Sequence, residues 1–105
     1  MGLLMAKEFD LVELFDIYGS LLTERQRELF TSYYLYDLSL AEIAQPEGKT
    51  RQNVYEQVKK VKAKLLEYEN LLQIRAKNLQ ISAVASDLTA QGNKLGQQLL
   101  DIINK

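Results

Sequence analysis

A chain of 105 residues with 47% apolar side chains is large enough for one hydrophobic core and too apolar for disorder. With no cysteine and no histidine, it has no disulfide, no thiolate nucleophile, no Cys/His zinc site and no imidazole catalysis. The formal net charge of −1 offers no long-range attraction to an anionic partner.

The scarcity of Gly and Pro, with apolar residues recurring at three- and four-residue steps, predicts an all-α chain. The opening "MGLLMAKEFD" has too short an apolar run for a leader peptide, and no stretch approaches a membrane span. The expectation is a cytoplasmic protein, not inserted in membrane, not an enzyme and without a cofactor.

The first helix is predicted over residues 8–19, with Phe9, Val12, Phe15 and Tyr18 in a broad stripe joined by Leu11 and Leu14. Gly19-Ser20 loosens the chain, and Thr23 with Gln26 three places on forms a capping box, "TERQ". The second helix should run to about Tyr36 and bury Leu29, Phe30, Tyr33 and Tyr34. Aromatic rings at this spacing, Tyr36 included, read as core rather than base-stacking platforms. "SLAE" is a second capping box, Ser39 with Glu42, opening a short helix with Leu40, Ile43 and Ala44 inward.

Pro46 lacks the N–H that would bond the Glu42 carbonyl, so that helix should stop at Ala44 or Gln45. Thr50 caps the longest helix, along which Val54, Val58, Val61, Leu65, Tyr68 and Leu72 follow a heptad-like seam. From residue 65 the apolar face widens. Leu65, Leu66, Tyr68, Leu71, Leu72 and Ile74 are candidates for a partner or homodimer interface, or for cover by the C-terminal segment folding back. The chain divides, in this reading, into residues 1–75 and a helical extension, 76–105. That extension would pack on the same core or on a partner chain. "AQGN" marks a turn within it, and Gly96 weakens a last helix by about 1 kcal/mol relative to Ala.

Charge is unevenly placed. Residues 1–48 carry nine acids against three bases, residues 49–64 six bases against one acid, and residues 65–105 four of each. The order short helix, Gly48, cap, basic helix is that of a helix–turn–helix, in which the second helix presents its N-terminal residues to base edges. Thr50, Arg51, Gln52, Asn53, Tyr55, Lys59, Lys60 and Lys62 are therefore the candidate nucleic-acid contacts. Gln and Asn suit adenine edges, and Arg and Lys suit guanine or phosphate. The free N–H groups above Thr50 suit a phosphate.

"LFDIYGSLLTERQRELFTSYYLYDLSLAEIA" and "TRQNVYEQVKKVKAKLLEYENLL" resemble the YlxM family of small bacterial helical proteins. More generically, the same stretch is similar to region four of sigma factors. The resemblance implies an all-α fold with a sigma-region-four-like helix–turn–helix, to which the residue pattern adds a long fourth helix and a helical C-terminal extension. It also implies a regulatory or accessory role linked to the signal recognition particle, whose RNA and proteins become candidate partners alongside DNA. The family's pattern has apolar residues at positions 47 and 49, where this chain has Glu47 and Lys49. That difference, with Pro46, predicts a looser turn and a loss of base register before a loss of phosphate binding. A protein-docking helical module with an incidental basic face is the alternative function.

Overall fold

The computed structural model describes the backbone from residue 2 to 104 and side chains from residue 10 to 104. Six α-helices, and no strand among the described residues, make up the chain: α1 Gly2–Tyr18, α2 Glu24–Phe30, α3 Leu40–Ala44, α4 Arg51–Leu72, α5 Ile74–Ala90 and α6 Lys94–Ile103. None of these helices is long and apolar enough to cross a membrane. The chain divides into two compact units, Met1–Leu71 and Leu72–Lys105.

In the first unit both capping boxes form. Thr23 Oγ1 accepts from the Gln26 N–H at 3.1 Å, and Gln26 Oε1 accepts from the Thr23 N–H at 2.9 Å. Ser39 and Glu42 repeat the exchange at 3.0 and 3.1 Å. Each box satisfies N–H groups that the first helical turn leaves without a carbonyl, so these two pairs define where α2 and α3 begin.

Beyond Phe30 the second helix widens into a π-helical turn, Thr31–Leu35, closed by the Tyr36 N–H on the Thr31 carbonyl at 2.9 Å. Asp37 follows in the left-handed region (φ 56). The stripe read from the sequence continues through Tyr33 and Tyr34, which are half-buried, but not to Tyr36, which is 71% exposed. The wide turn holds one more residue than an α-turn, so the spacing that would carry Tyr36 inward is broken.

Two clusters make the core. Leu11, Leu14, Tyr18, Leu22, Phe30, Val61 and Leu65 form the first, joining α1, the second helix and α4. Phe15 and Phe30 stack at 4.2 Å between ring centroids. Leu29, Ile43, Ala44, Val54 and Val58 form the second, beneath the helix–turn–helix. Tyr34 packs on both clusters and so links them. Burial of each such side chain contributes about 1.5–3 kcal/mol, and this is what fixes the seam face of α4 inward. The side chain of Phe9, expected in the α1 stripe, lies outside the described residues, as do those of residues 1–8.

In the second unit, α5 and α6 form a helical hairpin through the turn at Gly92 (φ 81). Asn93 caps α6, its Oδ1 accepting from the Leu95 N–H at 2.9 Å. Its buried residues are small, Ala85 and Gly96. Position 96 admits a glycine and no side chain, because α5 lies too near: a Cβ there would sit 2.4 Å from the Ala85 carbonyl oxygen.

Candidate nucleic-acid interface

The site begins at the turn between α3 and α4. α3 ends at Ala44, as Pro46 dictates, and Gln45–Glu47 tighten into a 3-10 turn that accepts proline in its first positions. Gly48 is left-handed (φ 66), the Gly48 N–H bonds the Gln45 carbonyl at 3.2 Å, and the Lys49 N–H bonds the Ala44 carbonyl at 3.0 Å. These are the paired bonds of a Schellman cap, which needs a residue able to adopt positive φ.

The expected looseness of this turn is not what the structure shows. Glu47 reaches across to α2, where Arg25 donates Nη1 to Oε1 at 2.7 Å and Nη2 to Oε2 at 2.5 Å. Lys49 Nζ approaches the same carboxylate at 3.4 Å. Arg25 Nη2 also reaches Gln57 Oε1 on α4 at 3.5 Å. The hydrogen bond from Arg25, aided by the charges of Arg25 and Lys49, holds the Glu47 carboxyl below its ordinary range against some desolvation. A forked, charge-assisted contact is directional in a way an apolar contact is not. Glu47 and Lys49 thus belong to an ion-pair cluster that ties α2 to the turn, with Arg25 also hydrogen-bonded to Gln57 of α4.

Thr50 then starts α4, its Oγ1 accepting from the Asn53 N–H at 3.0 Å. Arg51, Gln52, Asn53, Tyr55, Lys59 and Lys60 are all exposed, because Val54 and Val58 occupy the buried side. Gln52 donates to Glu56 at 3.0 Å, and Gln57 donates to Asn53 at 2.6 Å. Both amides are thus held along the helix by neighbours four residues on. Among the described residues, Arg51, Lys59, Lys60 and Lys62 have no ion-pair partner, whereas Lys49 and Lys64 are paired.

Arg51, Gln52, Tyr55 and Leu40 line one open hollow between α3 and α4. Lys62 stands apart from that group. It is half-buried beside Asp10, Leu11, Leu14 and Leu66, where α4 passes α1. The eight candidates therefore resolve into an N-terminal group (Thr50 to Tyr55), a lysine pair about one turn beyond it (Lys59, Lys60), and Lys62 on the α1 side.

The candidate partner face also divides. Leu65 is fully buried in the first core cluster and Tyr68 packs against that cluster, its hydroxyl 3.4 Å from the Leu21 carbonyl. Intramolecular packing has taken Leu65 entirely and about half of Tyr68. Leu66, Leu71, Leu72 and Ile74 are exposed; the first two belong to the first unit and the last two to the second. The α1 contribution that claims Leu65 was not visible in α4's own pattern. No group of three or more His, Cys, Asp or Glu side chains among the described residues is placed to hold a metal ion.

Comparison with known proteins agrees with this architecture. Residues 5–103 match the profile of the UPF0122 family, described as "Putative helix-turn-helix protein, YlxM / p13 like". A UPF0122 protein of Symbiobacterium thermophilum is 58% identical over 59 residues, 56% of this chain and 55% of its own length. One from Halalkalibacterium halodurans is 52% identical over 64 residues, covering 61% and 59%. In those two alignments the chain thus spans little more than half of the relative's length. A UPF0122 protein of Bacillus thuringiensis is 38% identical over 93 residues, covering 86% of this chain and 84% of its own. With the family profile matched over nearly the whole chain, and the all-α helix–turn–helix architecture on the page, this chain belongs to the UPF0122 family of YlxM-like helix–turn–helix proteins.

Proposed function

We propose that this chain is a non-enzymatic accessory or regulatory protein that contacts nucleic acid through α4. The observation that carries the reading is the set of unpaired cations on the exposed face of a helix whose entry is held by the Arg25–Glu47 bridge. Arg51 and Lys59 are eight residues apart, about 12 Å along the helix axis at 1.5 Å per residue, comparable to the width of a major groove. Arg51, Gln52 and Asn53 would face base edges while Lys59 and Lys60 reach phosphates. A role beside the signal recognition particle, on its RNA or its proteins, follows from the family resemblance and is part of this proposal.

Anisotropy titration of a labelled duplex, and separately of a labelled RNA hairpin, over a series of salt concentrations tests it. Affinity should fall with salt at a log–log slope of about −0.9 for each phosphate neutralised on B-DNA. Lys59→Gln should weaken binding to all sequences alike and shrink that slope by about one unit. The double reversal Lys59→Glu with Lys60→Glu should abolish binding. A slope near zero, or indifference to the double reversal, would leave the protein-docking reading in its place.

A further inference from the structure

We propose that the two amides at the start of α4 are held in opposite senses, Gln52 offering bases its carbonyl oxygen and Asn53 its amino group. Gln52 then takes an amino-bearing base and Asn53 a keto-bearing one. The inference rests on the nucleic-acid reading above and names the base chemistry of that same site. It starts from which groups can only accept and which can only donate. A carboxylate only accepts, so the atom of Gln52 facing Glu56 at 3.0 Å is its amino nitrogen. The Gln52 carbonyl oxygen is left over, and no partner takes it among the described residues. A guanidinium only donates, so the atom of Gln57 facing Arg25 Nη2 at 3.5 Å is its carbonyl oxygen. That turns the Gln57 amino group to Asn53, whose Oδ1 accepts it at 2.6 Å. On Asn53 the amino group is what remains, and no partner takes it among the described residues.

The reference point of this relay is Arg25. Glu47 grips its guanidinium on both sides, with Nη1 to Oε1 at 2.7 Å and Nη2 on Oε2, and the Thr23–Gln26 capping box fixes the start of α2 that carries it. Gln57 is half-buried between that guanidinium and Asn53. Glu47, Arg25 and Gln57 are therefore positioning residues for Asn53, and Glu56 is one for Gln52. The bridge across the turn sets a base-reading side chain as well as the entry of α4. In the major groove the amino donors are cytosine N4 and adenine N6, and the keto acceptors are guanine O6 and thymine O4. A bidentate asparagine contact with adenine uses both ends of the amide, and Gln57 already engages the oxygen of Asn53. A keto base is thus the better match for Asn53, and an amino base for Gln52. The ligand is duplex DNA, since the narrow major groove of an RNA helix shuts out side chains.

Selection by the full chain from a pool of duplexes with a randomised centre, then anisotropy on single base-pair variants of the enriched site, is the test. Wild-type protein should enrich a site with one position held to a keto base and another held to an amino base. Exchange at either should raise the dissociation constant about fivefold or more. Gln57→Glu puts an acceptor where the amino group was, so Asn53 turns its own amino group inward and the keto preference should invert to amino. The added negative charge weakens all duplexes alike and leaves that inversion readable. Glu56→Ala, at an exposed position, should erase the amino preference alone. Both variants should keep the wild-type circular dichroism. Salt-dependent binding with no selected site, or a preference that either variant leaves unchanged, overturns this inference and leaves the nucleic-acid reading standing. No binding to any duplex at low salt removes both.

Discussion

Glu47 shows how one side chain alters what a turn depends on. Its carboxylate is held below the ordinary value of 4.5 by the Arg25 hydrogen bond first, then by the nearby charges. The sign follows from linkage: a depressed folded-state pKa stabilises fully above the unfolded value, and the contribution is lost as pH falls through the folded one. Glu47→Gln should therefore lower the melting temperature at neutral pH, and the gap from wild type should close as pH falls through the lowered folded-state value. Glu42, whose carboxyl is lowered by the Ser39 backbone hydrogen bond, shifts in the same sense, so the start of α3 and the turn after it both weaken on the acid side. Gly48 carries the other half of the turn. Nothing lies within 4 Å of a Cβ built there, so Gly48→Ala meets no clash and only the left-handed backbone opposes it. Urea unfolding should show a loss of about 1–2 kcal/mol. The glycine was legible as a turn in the sequence. The ion pair was not, because Arg25 and Glu47 are 22 positions apart and only the packing of α2 beneath the turn brings them together.

Among the helices, Gly96 separates propensity from packing. Propensity alone says that alanine in place of a helical glycine stabilises, by up to about 1 kcal/mol in a helix interior and less in a first turn such as this. The Ala85 carbonyl and the Thr89 backbone nitrogen, both closer than 3 Å to the new methyl, say the reverse. Gly96→Ala should force α5 and α6 apart and cost about 1–3 kcal/mol, read as an earlier loss of helical signal on heating. Phe30 makes the complementary case. It is 1% exposed, stacked on Phe15 and in contact with Tyr34, so Phe30→Ala should cost about 3–5 kcal/mol in chemical denaturation. The helices themselves were well marked in the sequence, since capping boxes and apolar steps are local signals. The π-turn at Thr31–Leu35 was not, because an extra residue in a turn leaves no local mark and is stabilised by how Tyr33 and Tyr34 pack across it.

At the scale of the whole chain, the two units differ in how much core they own. Both hydrophobic clusters consist of residues before position 72, so a chain ending at Leu71 should retain a cooperative melting transition by circular dichroism. A peptide of residues 72–105, by contrast, should show little helix on its own, since its buried residues are small. The same division corrects the partner face. Leu65 and Tyr68 read as part of a candidate partner face along α4, yet α1 and its neighbours bury Leu65 and pack against Tyr68. Periodicity reports which side of a helix is apolar, and the sequence by itself determined that, along with the caps, the all-α class, the basic segment 49–64 and the order of a helix–turn–helix. Which neighbour covers an apolar side, whether a charged turn is loose or bridged, and which lysines share a surface are long-range facts. Only the tertiary structure decided them, because contacts such as Arg25 with Glu47 or Tyr18 with Glu69 depend on where distant segments meet, not on their local patterns.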